Sequence, residues 1–293
     1  MERFRYARAE SVSHAVELLN EHGVTSRVLA GGTDLMLQLR QARSWPDRVV
    51  DISQIAELHE IWRRDDTIWV GAATTFSEVI ESQLVLETAP LLTQAARQVG
   101  ATQVRNMGTL GGNVVNAAAC ADSLPALVCL DALVHVKTPG EELLLPLAEF
   151  VTGPNRTILP SGALVTALSY KVPRQGSQSV FLKLGRRNAM AISRLTVACL
   201  GCLNGDGRIC EVRLVPGSVT PRVQHLTAVE QLLMGKEPGE AVFDEAAQLA
   251  VKEVATVTGR RWSSPYKEPV LRTLVSRALA QVFALTAAER RSM

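Results

Sequence analysis

Two glycine pairs carry the clearest chemistry in this 293-residue chain, one in Ala30-Gly31-Gly32-Thr33-Asp34-Leu35 and one in Thr109-Leu110-Gly111-Gly112-Asn113. Glycine has no Cβ, so consecutive glycines let a backbone come close to a phosphate and aim several N–H groups at it. The short apolar run Arg27–Ala30, which includes Leu29, reads as a buried strand feeding straight into the first pair. The segment from Thr33 to Arg43 then reads as a helix, with Thr33 or Asp34 placed to cap it. Strand, glycine pair and helix N-terminus in that order make an anion site, and the positive end of the helix dipole adds to the attraction. A lone Gly-Gly pair is as readily a turn as a ligand loop. Two such pairs in one domain, each beside Thr and Asp or Asn, point to a large phosphate-bearing cofactor. Neither G-x-G-x-x-G nor G-x-x-x-x-G-K-[ST] occurs, which excludes the Rossmann and P-loop solutions to phosphate binding.

The second pair lies in a segment rich in small residues and uncharged between Arg105 and Asp122. Three glycines, two asparagines and a threonine within nine residues are poor material for a helix or strand interior, so the segment is expected to form an extended loop around a polar ligand. Asp122 is placed to cap the apolar helix Ser123–Leu130, with Pro125 tolerable in its first turn. Cys199 and Cys202 form a C-x-x-C with Cys210 beyond, but a fourth metal ligand is missing. The surrounding pattern alternates as a hairpin about Asn204-Gly205-Asp206-Gly207, which puts Cys199 and Cys202 on opposite faces of one strand. The five histidines lie outside both glycine segments and form no close pair.

These loops need elements to hold them. Ser11 or Ser13 caps a helix over residues 15–22 that Gly23 ends. Strands follow at 49–53 and 67–74, and helices near 75–82 and 89–100. Farther on come a strand at 179–184, the hairpin from Arg194 to Val215, and helices over 227–235, 241–256 and 267–285. The last helix carries Arg272 and Arg277 beside apolar positions suited to a subunit contact. The composition is 47% hydrophobic and 20% charged with a net charge of +2, which excludes disordered and disulfide-scaffold classes and gives no excess charge to attract nucleic acid or an anionic membrane. With no signal peptide, no run of about 18 apolar residues and an odd number of cysteines (five, including Cys120 and Cys129), the expectation is a reduced, cytoplasmic protein.

The two glycine segments together resemble the paired FAD loops of the molybdenum hydroxylase flavoprotein subunits, the xanthine dehydrogenase family that includes carbon monoxide dehydrogenase and nicotinate dehydrogenase. The resemblance covers the whole chain. It implies an α+β fold: a two-lobed FAD-binding domain of the vanillyl-alcohol-oxidase (PCMH) type over residues 1–175, with lobes of about 1–57 and 58–175 and a strand ending near Val172-Pro173, then a smaller α+β domain over 176–293 with an antiparallel sheet and helices. By the family pattern Leu29 and Ala30 to Leu35 hold the FAD diphosphate, Thr109, Gly112 and Asn113 continue the grip, and Asp122 contacts the ribityl and adenosine side. A third element resembles Phe181–Ser193, in which Lys183 approaches the flavin, and Leu168 is carried over just before it. The sequence departs from many relatives at Ala119, where they have proline, and at Ala191, where they have aspartate.

The resemblance implies noncovalent FAD, a small partner subunit with two [2Fe-2S] clusters, a large molybdopterin subunit that reads the substrate, NAD or another acceptor, and a dimer of heterotrimers. Two other readings stay open. One is a free-standing FAD reductase resembling the enolpyruvyl-UDP-sugar reductases, and the other an assembly subunit without flavin.

Overall fold

The computed structural model describes residues 4–42, 44–187 and 190–289. The first lobe runs β1 (Arg5–Arg8), α1 (Val12–Leu19), β2 (Ser26–Leu29), α2 (Leu35–Gln41) and β3 (Arg48–Asp51), with a parallel sheet in the order β1-β3-β2. Ser11 caps α1 by accepting from the His14 N–H at 3.1 Å. The helix stops at Asn20, short of the expected Gly23, because the Asn20 amide donates to the Val16 carbonyl at 2.7 Å and across to the Gly162 carbonyl at 2.8 Å. Gly23 instead takes φ +71° in the turn beyond. Ala15 and Val16 are buried against Val50, Ile52 and Leu58, and this small core is completed by Ala73 and Leu164 from the second lobe.

That lobe comprises β4 (Ile61–Arg64), β5 (Thr67–Gly71), α3 (Phe76–Glu81), α4 (Gln83–Thr88), α5 (Pro90–Arg97), α6 (Thr102–Arg105), α7 (Leu110–Asn116), α8 (Ser123–Cys129), β6 (Leu133–Lys137), β7 (Glu142–Pro146), α9 (Leu147–Phe150), β8 (Val151–Gly153), β9 (Arg156–Thr157) and β10 (Leu164–Lys171). Its main sheet is antiparallel in the order β4-β5-β10-β6-β7. Alternation turns Ile68, Val70, Val134, Val136, Leu168 and Tyr170 to the face covered by α5, α7 and α8, where they form the main core. A capping box of Thr75 and Glu78 starts α3, and Ser82 ends α3 while capping α4, a helix the sequence pattern did not suggest. The glycine- and asparagine-rich part of the segment expected as an extended loop around a ligand is helical from Leu110 to Asn116, as α7. Thr109 decides this locally. Its backbone is extended, its hydroxyl accepts from the Gly112 N–H at 3.1 Å, and α7 therefore begins at Leu110 with the glycine pair in its first turn.

The last part consists of β11 (Gln178–Leu184), β12 (Leu195–Leu203), β13 (Ile209–Gly217), α10 (Thr227–Leu233), α11 (Glu240–Thr258) and α12 (Ser264–Glu289), with an antiparallel sheet in the order β11-β12-β13. β12 is buried on both faces: Leu195, Val197 and Cys199 pack under α11 and α12, whereas Ala198 and Leu200 join the main core of the preceding lobe. The C-x-x-C thus straddles the strand, with Cys199 among aliphatic and aromatic side chains such as Val275 and Phe283. Arg272, expected at a subunit contact, is held by Asp244 of α11 at 2.7 Å. No helix among the described residues is long and apolar enough to cross a membrane.

His225 pins this C-terminal domain to the lobe before it. Its Nδ1 meets Glu230 at 2.8 Å, and its Nε2 lies 3.1 Å from Asp131 and 3.0 Å from the Val128 carbonyl at the end of α8. Burial acts to lower the His225 pKa, but the hydrogen bonds and charges of Asp131 and Glu230 outweigh it and hold the imidazole up at about 9. The folded pKa thus lies above the ordinary value near 6.5, so the stabilisation is complete below about pH 6.5 and is lost as pH rises through about 9. Thermal melts of the wild type should show a melting temperature that falls across that window. In His225→Gln the melting temperature should be lower at pH 6 and the decline across the window should flatten; an unchanged slope would disprove the assignment.

Candidate functional site

The two glycine pairs face each other because the backbones carrying them touch. A Cβ on Gly31 would lie 1.6 Å from the Met107 carbonyl oxygen, and one on Gly111 would lie 2.6 Å from the Ala72 Cβ and its carbonyl oxygen. Gly32 turns the chain at φ +69°, a conformation that side chains disfavour. Between the lobes this leaves a cleft of about 550 Å³, within the usual range for a small-molecule or cofactor site.

Ala30, Gly31, Gly32, Thr33, Asp34, Leu35, Thr109, Gly112 and Asn113 all line that cleft. The backbone N–H groups of residues 31 to 35 donate no hydrogen bond to any described residue. A run of such donors at the start of a helix is an anion cradle. Asp34 occupies the cap position of α2, yet neither its side chain nor that of Thr33 caps the helix, since the Asp34 backbone is already helical at φ −102° and ψ −46°. Both side chains are thereby left at the cleft wall. Asn113 accepts from the Ser123 hydroxyl at 2.6 Å, so its amide NH₂ remains for the cleft.

Four of the residues singled out by sequence lie off this wall. Leu29 packs with Leu35, Leu39 and Val49 beneath α2. Leu168 is fully buried in the main core, on the helix-covered face of β10. Asp122 does not cap α8 as expected, because its own backbone is in the helical region and its carboxylate is turned to other partners. It pairs with Lys183 at 2.6 Å, both side chains being 7% exposed. Burial pushes the Asp122 carboxyl above its ordinary value, and the hydrogen bonds from Lys183 and Ser193 work against that rise. In the third element, Asn188 and Ala189 lie outside the described residues. Of the departures, Ala119 offers its carbonyl to the Ser218 hydroxyl at 3.2 Å, and Ala191 sits where a Cβ on Gly185 would lie, 2.5 Å from its own Cβ.

Sequence reasoning missed a polar chain along the rim. Arg27 donates to Gln38 at 2.9 Å, Gln38 to Asn116 at 3.3 Å, and Asn155 to the Asn116 carbonyl at 3.0 Å, tying the lobes together beside the cleft. The available signal was turn chemistry, since Asn155 stands at φ +56°, where asparagine is tolerated.

Residues 2–174 match the family model for the FAD binding domain in molybdopterin dehydrogenase, and residues 180–282 match that for the CO dehydrogenase flavoprotein C-terminal domain. The 6-hydroxypseudooxynicotine dehydrogenase complex subunit alpha of Paenarthrobacter nicotinovorans is 30% identical over 95% of this chain and 94% of its own. The xanthine dehydrogenase FAD-binding subunit of Escherichia coli O157:H7 is 28% identical over 95% and 96%. Among solved structures, carbon monoxide dehydrogenase from Hydrogenophaga pseudoflava superposes with a TM-score of 0.89 at 26% identity, covering 97% of this chain and 98% of that one.

The backbone contact at Gly31 is directly testable. Gly31→Ala should cost about 1–3 kcal/mol of unfolding free energy in urea melts, the usual scale of over-packing. Gly140→Ala, where a Cβ meets nothing within 4 Å, should change it by less than about 0.5 kcal/mol. Equal stabilities for the two variants would contradict the close approach.

Proposed function

The chain belongs to the FAD-binding flavoprotein subunits of the molybdopterin dehydrogenases, and from that premise we propose that it is the electron-transfer subunit of a xanthine dehydrogenase-like molybdenum hydroxylase. The observation that carries this reading is the run of free N–H groups at residues 31 to 35, set across the cleft from Gly112 and Asn113. Those groups suit a diphosphate, and the cleft has the volume class of a cofactor site. Residues 1–175 are the flavin-binding domain in two lobes, about 1–57 and 58–175, and 176–293 the domain that closes behind them.

Within the cleft, Gly31 and Gly32 bring backbone donors to the diphosphate, and Thr33 and Asp34 offer side-chain groups beside them. Thr109 holds the Gly112 N–H and so fixes where α7 starts, while Asn113 presents its amide. No histidine or cysteine is among the described residues lining the cleft, in keeping with noncovalent FAD. Bound there, FAD would supply the redox chemistry, and the protein its binding and orientation.

In the assembled complex this chain takes electrons from [2Fe-2S] clusters of a small partner subunit and passes them to NAD or another acceptor. A large molybdopterin subunit carries the substrate, and the whole is a dimer of heterotrimers in the cytoplasm. The purified wild type should show a flavin absorbance spectrum, with FAD released by acid. Gly112→Trp, whose Cβ alone would lie 2.7 Å from the Thr109 hydroxyl, should be colourless. A wild type that neither carries nor takes up FAD would leave only the scaffold reading.

A further inference from the structure

Behind the second glycine pair, four segments of chain meet at one carboxylate. Lys183 of β11 donates to Asp122 Oδ2 at 2.6 Å and to the Gln98 carbonyl, just past α5, at 2.8 Å. Ser193, at the entrance to β12 and 7% exposed, donates to Asp122 Oδ1. Both carboxylate oxygens are therefore engaged by the C-terminal domain, one by a charged donor and one by a hydroxyl. Hydrogen bonds to an ionised group are stronger and more directional than neutral ones, so the segment around Asp122 is held in one orientation. The next residue, Ser123, is fully buried and donates to Asn113 Oδ1 at 2.6 Å. That bond takes up the Asn113 acceptor and leaves its NH₂ for the cleft it lines.

We propose that Ser193 is a positioning residue for the cofactor: by holding Asp122 against Lys183 it fixes Ser123, and through Ser123 it aims the Asn113 amide into the cleft. The role rests on reading the cleft as the FAD site. It also makes the C-terminal domain a structural part of cofactor binding, although none of that domain's residues lines the cleft among those described.

The test is a titration of the full-length, flavin-stripped chain with FAD, followed by flavin fluorescence. Ser193→Ala should raise the Kd about tenfold, the scale of one hydrogen bond to a charged group. Ser193→Thr, which keeps the hydroxyl, should stay within about twofold of wild type. Asn113→Ala alone should weaken FAD at least as much as Ser193→Ala, and adding Ser193→Ala to Asn113→Ala should change the Kd by less than about twofold, because the two residues act in series. Ser193→Ala binding as tightly as wild type overturns the proposal, and so does an equal loss with and without Asn113. A wild type that binds no FAD would instead overturn the reading of the cleft on which the proposal rests.

Discussion

The fold depends on backbone touching backbone where its lobes meet. A carbonyl at Met107 of the second lobe occupies the space a side chain at residue 31 would need, and within the second lobe Ala72 occupies the space needed at residue 111. Van der Waals repulsion rises so steeply that no larger residue fits at 31 without moving a lobe. Everything that makes the cleft useful follows from this contact. The N–H groups of residues 31 to 35 lie at the surface of the first lobe, and the start of α7 faces them from the second. A cleft built this way holds its width by sterics, with the polar chain from Arg27 through Gln38 and Asn116 to Asn155 as a weaker tie along the rim.

The C-terminal domain is attached by two polar networks of opposite electrostatic character, one buried and one reaching the surface at Asp131. At one, a carboxylate is buried against a lysine and a serine, and burial makes its ionisation harder. At the other, an imidazole lies between two carboxylates that favour its charged form over the desolvation it suffers. Between them, Ala198 and Leu200 of β12 and Phe181 of β11 enter the core of the preceding lobe. Apolar burial gives the joint its adhesion, while the charged pairs fix its register, since a buried charge without its partner is costly.

Much of this was legible in the sequence, and what was missed has physical causes. The hairpin of β12 and β13 could be read from its alternation and its Asn-Gly-Asp-Gly turn, because period and turn chemistry agree there. The glycine pairs were legible as candidate close-approach positions because two occur in one domain, each beside Thr and Asp or Asn. The segment around residue 110 was misread as extended: its small residues have low helix propensity, but Thr109 supplies a cap and the contact with Ala72 supplies the packing, and tertiary context outweighed propensity. Asp122 was misread as a cap because a local role was available to it; its real partners, Lys183 and Ser193, stand 61 and 71 residues away, and nothing in a linear pattern announces such pairs. Leu168 and Leu29 were placed by resemblance; Leu168 is buried in the main core, and Leu29 is partly buried beneath α2.

The first lobe shares its core with a residue that arrives late. Ala15 and Val16 are buried partly by Leu164 of β10, made about 150 residues later, which at ordinary elongation rates is on the order of ten seconds. Until then the nascent first lobe has an unfilled apolar face and a parallel sheet of three short strands, the kind of surface that recruits chaperones or wrong neighbours. The first lobe can begin to dock on Ala73 and Met107 as soon as these are made, but its core, and the part of the cleft wall that residues 155–165 contribute, is complete only once β10 has been synthesised.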